Sequence, residues 1–306
     1  MNQSFGVKLP GLVPRYAPTL GEVPDFVAQL EQLGFDDVMD GEHILYAADM
    51  AHPGGSGNFE HSRAEQHSDR SDTLVMFAAI AARTSRIKLV SGIILGAAHT
   101  FAVLARQAAT LDVISGGRFT LGVGAGWNAA EFEHLGVPPD ERAARTEETI
   151  RACRELWSPG LSSFEGRWIS FKDVICEPAP RTPGGVPVWW GGNARSRPTA
   201  RRVVTLGDGW LSREAAGYDE IAASVENIRK LCEEFGRDPA TVGVRASLTA
   251  TSAWNAAGSV DDLTERAVKR ARQLAGLGVT HFSVPLSYYG IDLVTLGGLL
   301  RALRAA

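Results

Sequence analysis

Short apolar runs alternate with longer amphipathic segments eight times along the 306 residues. "FGVKL" (5–9) reads as extended, "EVPDFVAQLEQLG" (22–34) has helical spacing with Gly34 as its stop, and "DDVMD" (36–40) is the next strand. "DTLVMFAAIAART" (72–84) reads as a helix capped by Asp72, and "IKLVSGIIL" (87–95) as one continuous strand buried on both faces. The helix "FAVLARQAATLDVIS" (101–115), the strand "RFTLGVG" (118–124), the helix "ERAARTEETIRACRELW" (141–157) and the strand "VPVWWGG" (186–192) continue the rhythm. It runs on through "RPTARRVVTLG", "GWLS", "YDEIAASVENIRKLCEEFG", "VGVRASLTA", "DDLTERAVKRARQLAGLG" and "THFSVPL" to a closing helix, "DLVTLGGLLRALRA". Eight β-then-α units with no break in composition predict one α/β domain over residues 1–306, a (β/α)8 TIM barrel rather than an open doubly wound sheet.

Two stretches exceed a minimal barrel. Residues 45–71 are polar, Gly-rich and too long for an ordinary βα connection, which suits a lid or a wall of the site. His52, His61 and His67 lie in it, but separations of nine and six residues match no compact zinc pattern, so no metal is expected. "SSFEGRWISFKDV" (162–174) reads as a β-hairpin turning at Glu165-Gly166. A net charge of −4 gives no global pull toward nucleic acid or an anionic membrane. Cys153, Cys176 and Cys232 are isolated, which argues against a disulfide framework. With no run of ~18 apolar residues and no signal-type apolar core in "MNQSFGVKLP", the expectation is a soluble, cytoplasmic protein.

In a barrel, chemistry gathers at the C-terminal ends of the strands. Strand two ends in "MDGEHIL", placing Asp40, Glu42 and His43 at the rim, where a carboxylate can orient an imidazole that exchanges a proton near neutral pH. Strand three carries Gly92 inside a β-branched run, the mark of a bulge or a close approach. Strand four ends in "GVGAGW". A dinucleotide fingerprint would open directly into a helix, whereas no long amphipathic helix follows here before Glu141. Alternating glycines at a strand end instead suit a flat wall for an aromatic ring system. Strand five ends in "WWGGNARSRPTARR", two glycines and an asparagine entering a helix with Arg195, Arg197, Arg201 and Arg202 nearby, a ready anion site. A phosphate cradle, a glycine-lined wall and a protic rim residue together describe a flavin-type site.

These segments resemble the bacterial luciferase-like superfamily, most closely its coenzyme F420-dependent oxidoreductases. The resemblance is carried by "DVMDGEHIL", "QAATLDVISGGRFTLGVGAGWNAAEFEHLGV", "RACRELW", "SFEGRWISF", "VPVWWGGN" and "LGDGWL", in order over about residues 5–215. It implies a barrel holding F420 or FMN, with Gly124, Ala125, Gly126 and Trp127 beside the tricyclic ring and Gly191, Gly192 and Asn193 on the phosphate. It places Gly92-Ile93 where many members have a non-prolyl cis peptide, and His43 near the hydride-transfer face. It also brings with it a homodimer. One departure matters: the sugar-phosphate dehydrogenase branch has a catalytic glutamate where this chain has Trp127, so that chemistry does not carry over.

The reading is therefore an F420-dependent oxidoreductase acting on a small organic substrate, with His43 exchanging the proton, Glu42 assisting it, and Asp40 at the cofactor. Arg195 and Arg197, with their neighbours and Arg213, are expected to meet the extra negative charge of the deazaflavin tail. An FMN-dependent luciferase-like monooxygenase is the alternative, and a barrel that has lost its cofactor is the second. Trp127, Phe59 and Tyr46 suggest an aromatic-friendly substrate pocket.

Overall fold

The computed structural model describes residues 3–9, 19–45, 71–249, 258–289 and 292–306. Each predicted strand and helix falls into place, and local chemistry explains most of the ends. Strand β1 (Ser4–Lys8) leads to α1 (Val23–Leu33), whose Val23, Val27 and Leu30 form one buried stripe. That helix stops where Gly34 turns left-handed at φ 97°, a conformation open to glycine at little cost. β2 (Asp37–Asp40) precedes the insertion, and α2 (Thr73–Arg83) starts at Asp72, whose side chain accepts from the Val75 amide. β3 (Lys88–Ser91) and β4 (Ile94–Leu95) flank a cis Gly92-Ile93 peptide, so the predicted continuous strand is two pieces. α3 (Phe101–Ser115) and β5 (Phe119–Gly124) follow.

After β5 comes a helix too short to show a period in the sequence, α4 (Ala129–His134), then α5 (Arg142–Leu156). The excursion is an antiparallel hairpin of β6 (Ser162–Glu165) and β7 (Ser170–Val174). Glu148 on α5 pins its turn by accepting from the amides of Arg167, Trp168 and Ile169. The chain then returns through β8 (Val188–Gly191), α6 (Arg197–Leu206), β9 (Gly209–Leu211) and α7 (Tyr218–Glu234). It finishes with β10 (Gly243–Ser247), α8 (Val260–Ala275), β11 (His281–Pro285), a short α9 (Leu286–Tyr289) and α10 (Leu293–Arg304).

The strands pair in parallel in the order β3-β2-β1-β11-β10-β9-β8-β5-β4. β3 also pairs with β5, through Leu89↔Phe119 and Val90↔Thr120, and this closes an eight-stranded barrel in which β3 and β4 count as one interrupted strand. Outward strand residues such as Val7, Val38, Leu89, Leu121 and Val188 are fully buried under the helices. Each stabilises by about 1.5–3 kcal/mol on the usual burial scale. Inward positions break the apolar rule: Gly6, Asp37 and Arg245 face one another inside the barrel. Among the described residues no helix is long and apolar enough to cross a membrane, and no cluster could hold a metal ion.

Candidate active site

A cavity of about 340 Å³ opens at the C-terminal ends of the strands. That is within the usual range for small-molecule sites. Its wall includes Ile93 and the predicted Gly124-Ala125-Gly126-Trp127 and Gly191-Gly192 segments. The glycines act less directly than a flat wall would. A Cβ at Gly124 would lie 2.6 Å from Ile93 Cδ1, and one at Gly191 2.6 Å from Ile93 Cγ2. The two missing side chains thus make a slot for Ile93, and Ile93 presents the apolar surface.

The cis-peptide segment is held from the end of β2. The Gly92 amide donates to the Asp40 carbonyl at 2.6 Å, and the Glu42 amide to the Ile93 carbonyl at 3.1 Å. The Glu42 carboxylate accepts from the Leu95 amide at 2.9 Å and lies 2.6 Å from His99 Nε2. Burial pushes the His99 pKa down, but the hydrogen bond and charge of Glu42 outweigh it and raise the pKa above the ordinary value. This corrects the expected pairing: Glu42 serves His99 and the backbone of β4, not its neighbour His43.

His43 is instead oriented by Glu131 of α4, with Nδ1 2.9 Å from Oε2. Glu131 is 1% exposed, and its other oxygen accepts from the amides of Ile44 (2.7 Å) and Leu45 (3.2 Å). Burial would raise the Glu131 pKa; His43 and the two amides together prevail and lower it below the ordinary value. The His43 ring packs edge-on against Trp127, 5.6 Å between centroids, so it adjoins a residue of the cavity wall without itself lining the cavity.

At the opposite side, Gly191, Gly192 and Asn193 precede α6, where Ser196 caps the helix by accepting from the Thr199 amide. Gly192 has φ 133°, the Trp210 indole donates to its carbonyl at 2.8 Å, and Thr199 lines the cavity. Among the described residues the Asn193 and Ala194 amides donate to no backbone acceptor. The arginines behave otherwise than expected. Arg197 pairs with Glu234 on the exposed side of α6, Arg201 and Arg202 with Glu147, and neither Arg195 nor Arg197 reaches the cavity. Arg213 does line it, with Glu220 as an ion-pair partner. Asp40 is buried and acts through its carbonyl as described.

Several polar groups at the cavity were missed from sequence: Lys8 ion-paired with Glu214, and Arg245, Ser247 and Ser283 from the last two strands. Tyr46, Phe59 and the histidines of the insertion lie outside the described residues.

The family model for luciferase-like monooxygenases matches residues 4–277. A Mycobacterium tuberculosis protein, Rv0953c, is 35% identical over 141 residues, covering 46% of this chain and 49% of that protein. The FMNH(2)-dependent dimethylsulfone monooxygenase of Pseudomonas putida is 30% identical over 182 residues, 58% of this chain and 49% of that enzyme. The chain thus spans about half the length of these relatives. Among solved structures, an F420-dependent secondary alcohol dehydrogenase in complex with an F420-acetone adduct superposes with a TM-score of 0.77. At 17% identity over 99% of this chain and 100% of that one, this is a likeness of fold. With the family model running from β1 to the end of α8, the chain belongs to the luciferase-like monooxygenase family.

Proposed function

We propose that this protein is an oxidoreductase that transfers a hydride between coenzyme F420 and a small organic substrate. The observation that carries the reading is the Glu131–His43 pair set against Trp127 at the wall of a ring-sized cavity. With Glu131 on Nδ1, the proton of the neutral imidazole resides there, and Nε2 becomes the atom that takes or gives a proton. A substrate carbon that gives up a hydride leaves one proton to be removed, and His43, which adjoins the wall residue Trp127 rather than lining the cavity itself, is the base proposed for it.

The residues present fit a phosphorylated tricyclic cofactor. The Asn193 and Ala194 amides, just before the positive end of α6 and with no backbone acceptor among the described residues, offer donors without offering a carboxylate, as an anion requires, whereas the Gly192 amide is taken by the Leu211 carbonyl. Ile93 and Ala125 would carry the ring. When bound, a deazaflavin supplies a two-electron hydride acceptor or donor, whereas FMN also supplies oxygen chemistry.

An FMN-dependent monooxygenase is the second reading, and a specific observation favours it. Of the arginines expected to meet the deazaflavin tail, Arg197, Arg201 and Arg202 are engaged with Glu234 and Glu147 and only Arg213 lines the cavity, so the cluster no longer argues for F420. A fluorescence titration of the purified protein separates the readings. Saturable F420 binding is expected; FMN binding without F420 binding overturns the preferred cofactor. Binding of neither points to the non-catalytic barrel. A homodimer belongs to the same proposal. Val75 on α2 and Val103 and Ile114 on α3 are 66%, 51% and 53% exposed, an apolar face suited to a second copy. Light scattering that returns the mass of a single chain would remove it.

A further inference from the structure

The cavity floor carries a charge that the hydride transfer above does not use. Arg245 is 2% exposed and yet lines the cavity. Its Nε donates to Ser283 Oγ at 2.7 Å. Its Nη2 lies 2.7 Å from Asp37 Oδ1 as an ion pair, but the two are not aligned as a hydrogen bond, and neither atom has another partner among the described residues. The pair has space only because β1 places a glycine beside it: a side chain at Gly6 would overlap both Asp37 and Arg245. Replacing a buried ion pair with well-packed hydrophobic residues of similar volume is often harmless or stabilising, so a barrel does not need a guanidinium at its centre for stability.

Everything around this charge keeps it single. His281, the next inward residue on β11, is held at about 4, by burial first and by Arg245 second, and is therefore neutral near neutral pH. Lys8 is paired with Glu214. Met39, Val90 and Leu211 form an apolar cluster with Ile93 and Trp189, so the cavity passes from apolar walls to a cationic, hydroxyl-lined floor. A flavin-type ring has the matching asymmetry: one hydrocarbon edge, and one pyrimidinedione edge with two carbonyl acceptors.

We propose that Arg245, steadied by Asp37 and Ser283, is the binding group for the pyrimidinedione edge of the cofactor and biases the bound cofactor toward its reduced form. The assignment rests on the flavin-type reading above. A hydride taken from the substrate brings two electrons and one proton to the ring, and negative charge grows on the carbonyl oxygens. A fixed guanidinium at the floor favours that charge in a low-dielectric site.

The test compares the wild-type protein with Arg245→Lys and with the double variant Asp37→Asn/Arg245→Met, which removes both charges and keeps side chains of similar length. Three quantities are measured: the melting temperature without cofactor, the Kd for F420 and FMN by fluorescence, and the reduction potential of the bound cofactor by dye equilibration. The double variant is expected to melt near the wild type, to bind at least tenfold more weakly, and to show a more negative potential. The lysine variant should bind more weakly but hold the potential closer to wild type, because charge is kept and the two-pronged geometry lost. Wild-type Kd and potential in the double variant overturn the assignment alone. If that variant fails to fold, the lysine variant decides, and an unchanged Kd there is the overturning result. A wild-type protein that binds neither cofactor overturns the flavin reading and this assignment with it.

Discussion

Glu131→Ala should lower turnover by about 10²- to 10⁴-fold, the usual worth of a positioned acid–base group. The loss would come from an imidazole with no fixed tautomer, since Glu131 holds His43 Nδ1 at 2.9 Å. The same change strips the Ile44 and Leu45 amides of their acceptor. Each lost bond costs about 1 kcal/mol in such part-buried ground. Glu131→Gln separates the two roles. Its amide oxygen can still accept from both backbone groups, so stability stays near wild type while turnover falls. Acid gives a further check. Because the folded-state pKa lies below the ordinary 4.5, the carboxylate stabilises the fold fully above that value and loses its contribution as pH falls through the lowered one. Melting curves of Glu131→Ala and wild type should therefore converge in strong acid. A gap that persists there would show that the loss is packing rather than charge.

Gly122→Ala should destabilise the barrel by about 3 kcal/mol, the upper end for overpacking. The added methyl would fall on the Ser91 carbonyl and lie 2.7 Å from Leu211 Cδ1. Neither strand can move aside easily, because Ser91 Oγ donates to the Gly122 carbonyl at 3.0 Å and accepts from its amide at 2.8 Å. Gly124→Ala makes the contrast. Its one close clash is with the flexible end of Ile93, so it should fold well and instead weaken cofactor binding by moving Ile93 into the cavity. Urea midpoints read the first effect and fluorescence titration the second. A Gly122→Ala protein as stable as wild type would mean that β3 and β5 are not locked together as described.

The barrel was legible because its signals are local and repeated. Apolar runs of strand length, helical stripes and end markers such as Gly34, Asp72 and Gly116 all act within a few residues of themselves. Gly92 marked strand three as irregular, but its cis bond to Ile93 was legible only by resemblance, since a cis bond leaves no mark on hydropathy. Side-chain partnerships were the hardest part. His43 stands next to Glu42 in the sequence, yet its partner is 88 residues away, on a six-residue helix too short to show a period. Nothing in "AAEFEH" distinguishes Glu131, which turns inward, from Glu133, which does not. Arg197 misled for the opposite reason: position near a cradle says nothing of direction, and the helix turns it toward Glu234. Arg245 did leave a signal. A cation at an inward position of "GVRAS", midway along a buried strand, asks for a partner or a ligand.

The double duty of Glu131 has an evolutionary and practical consequence. One oxygen sets the imidazole, and the other fixes the backbone at Ile44 and Leu45, where the long insertion begins. Relatives that differ in that insertion cannot be recombined at residue 46 as though the rim at His43 were a separate module. A chimera that imports a new 46–70 segment must carry residues 43–45 and α4 as one cassette, or disturb the imidazole and the backbone at Ile44 and Leu45 together.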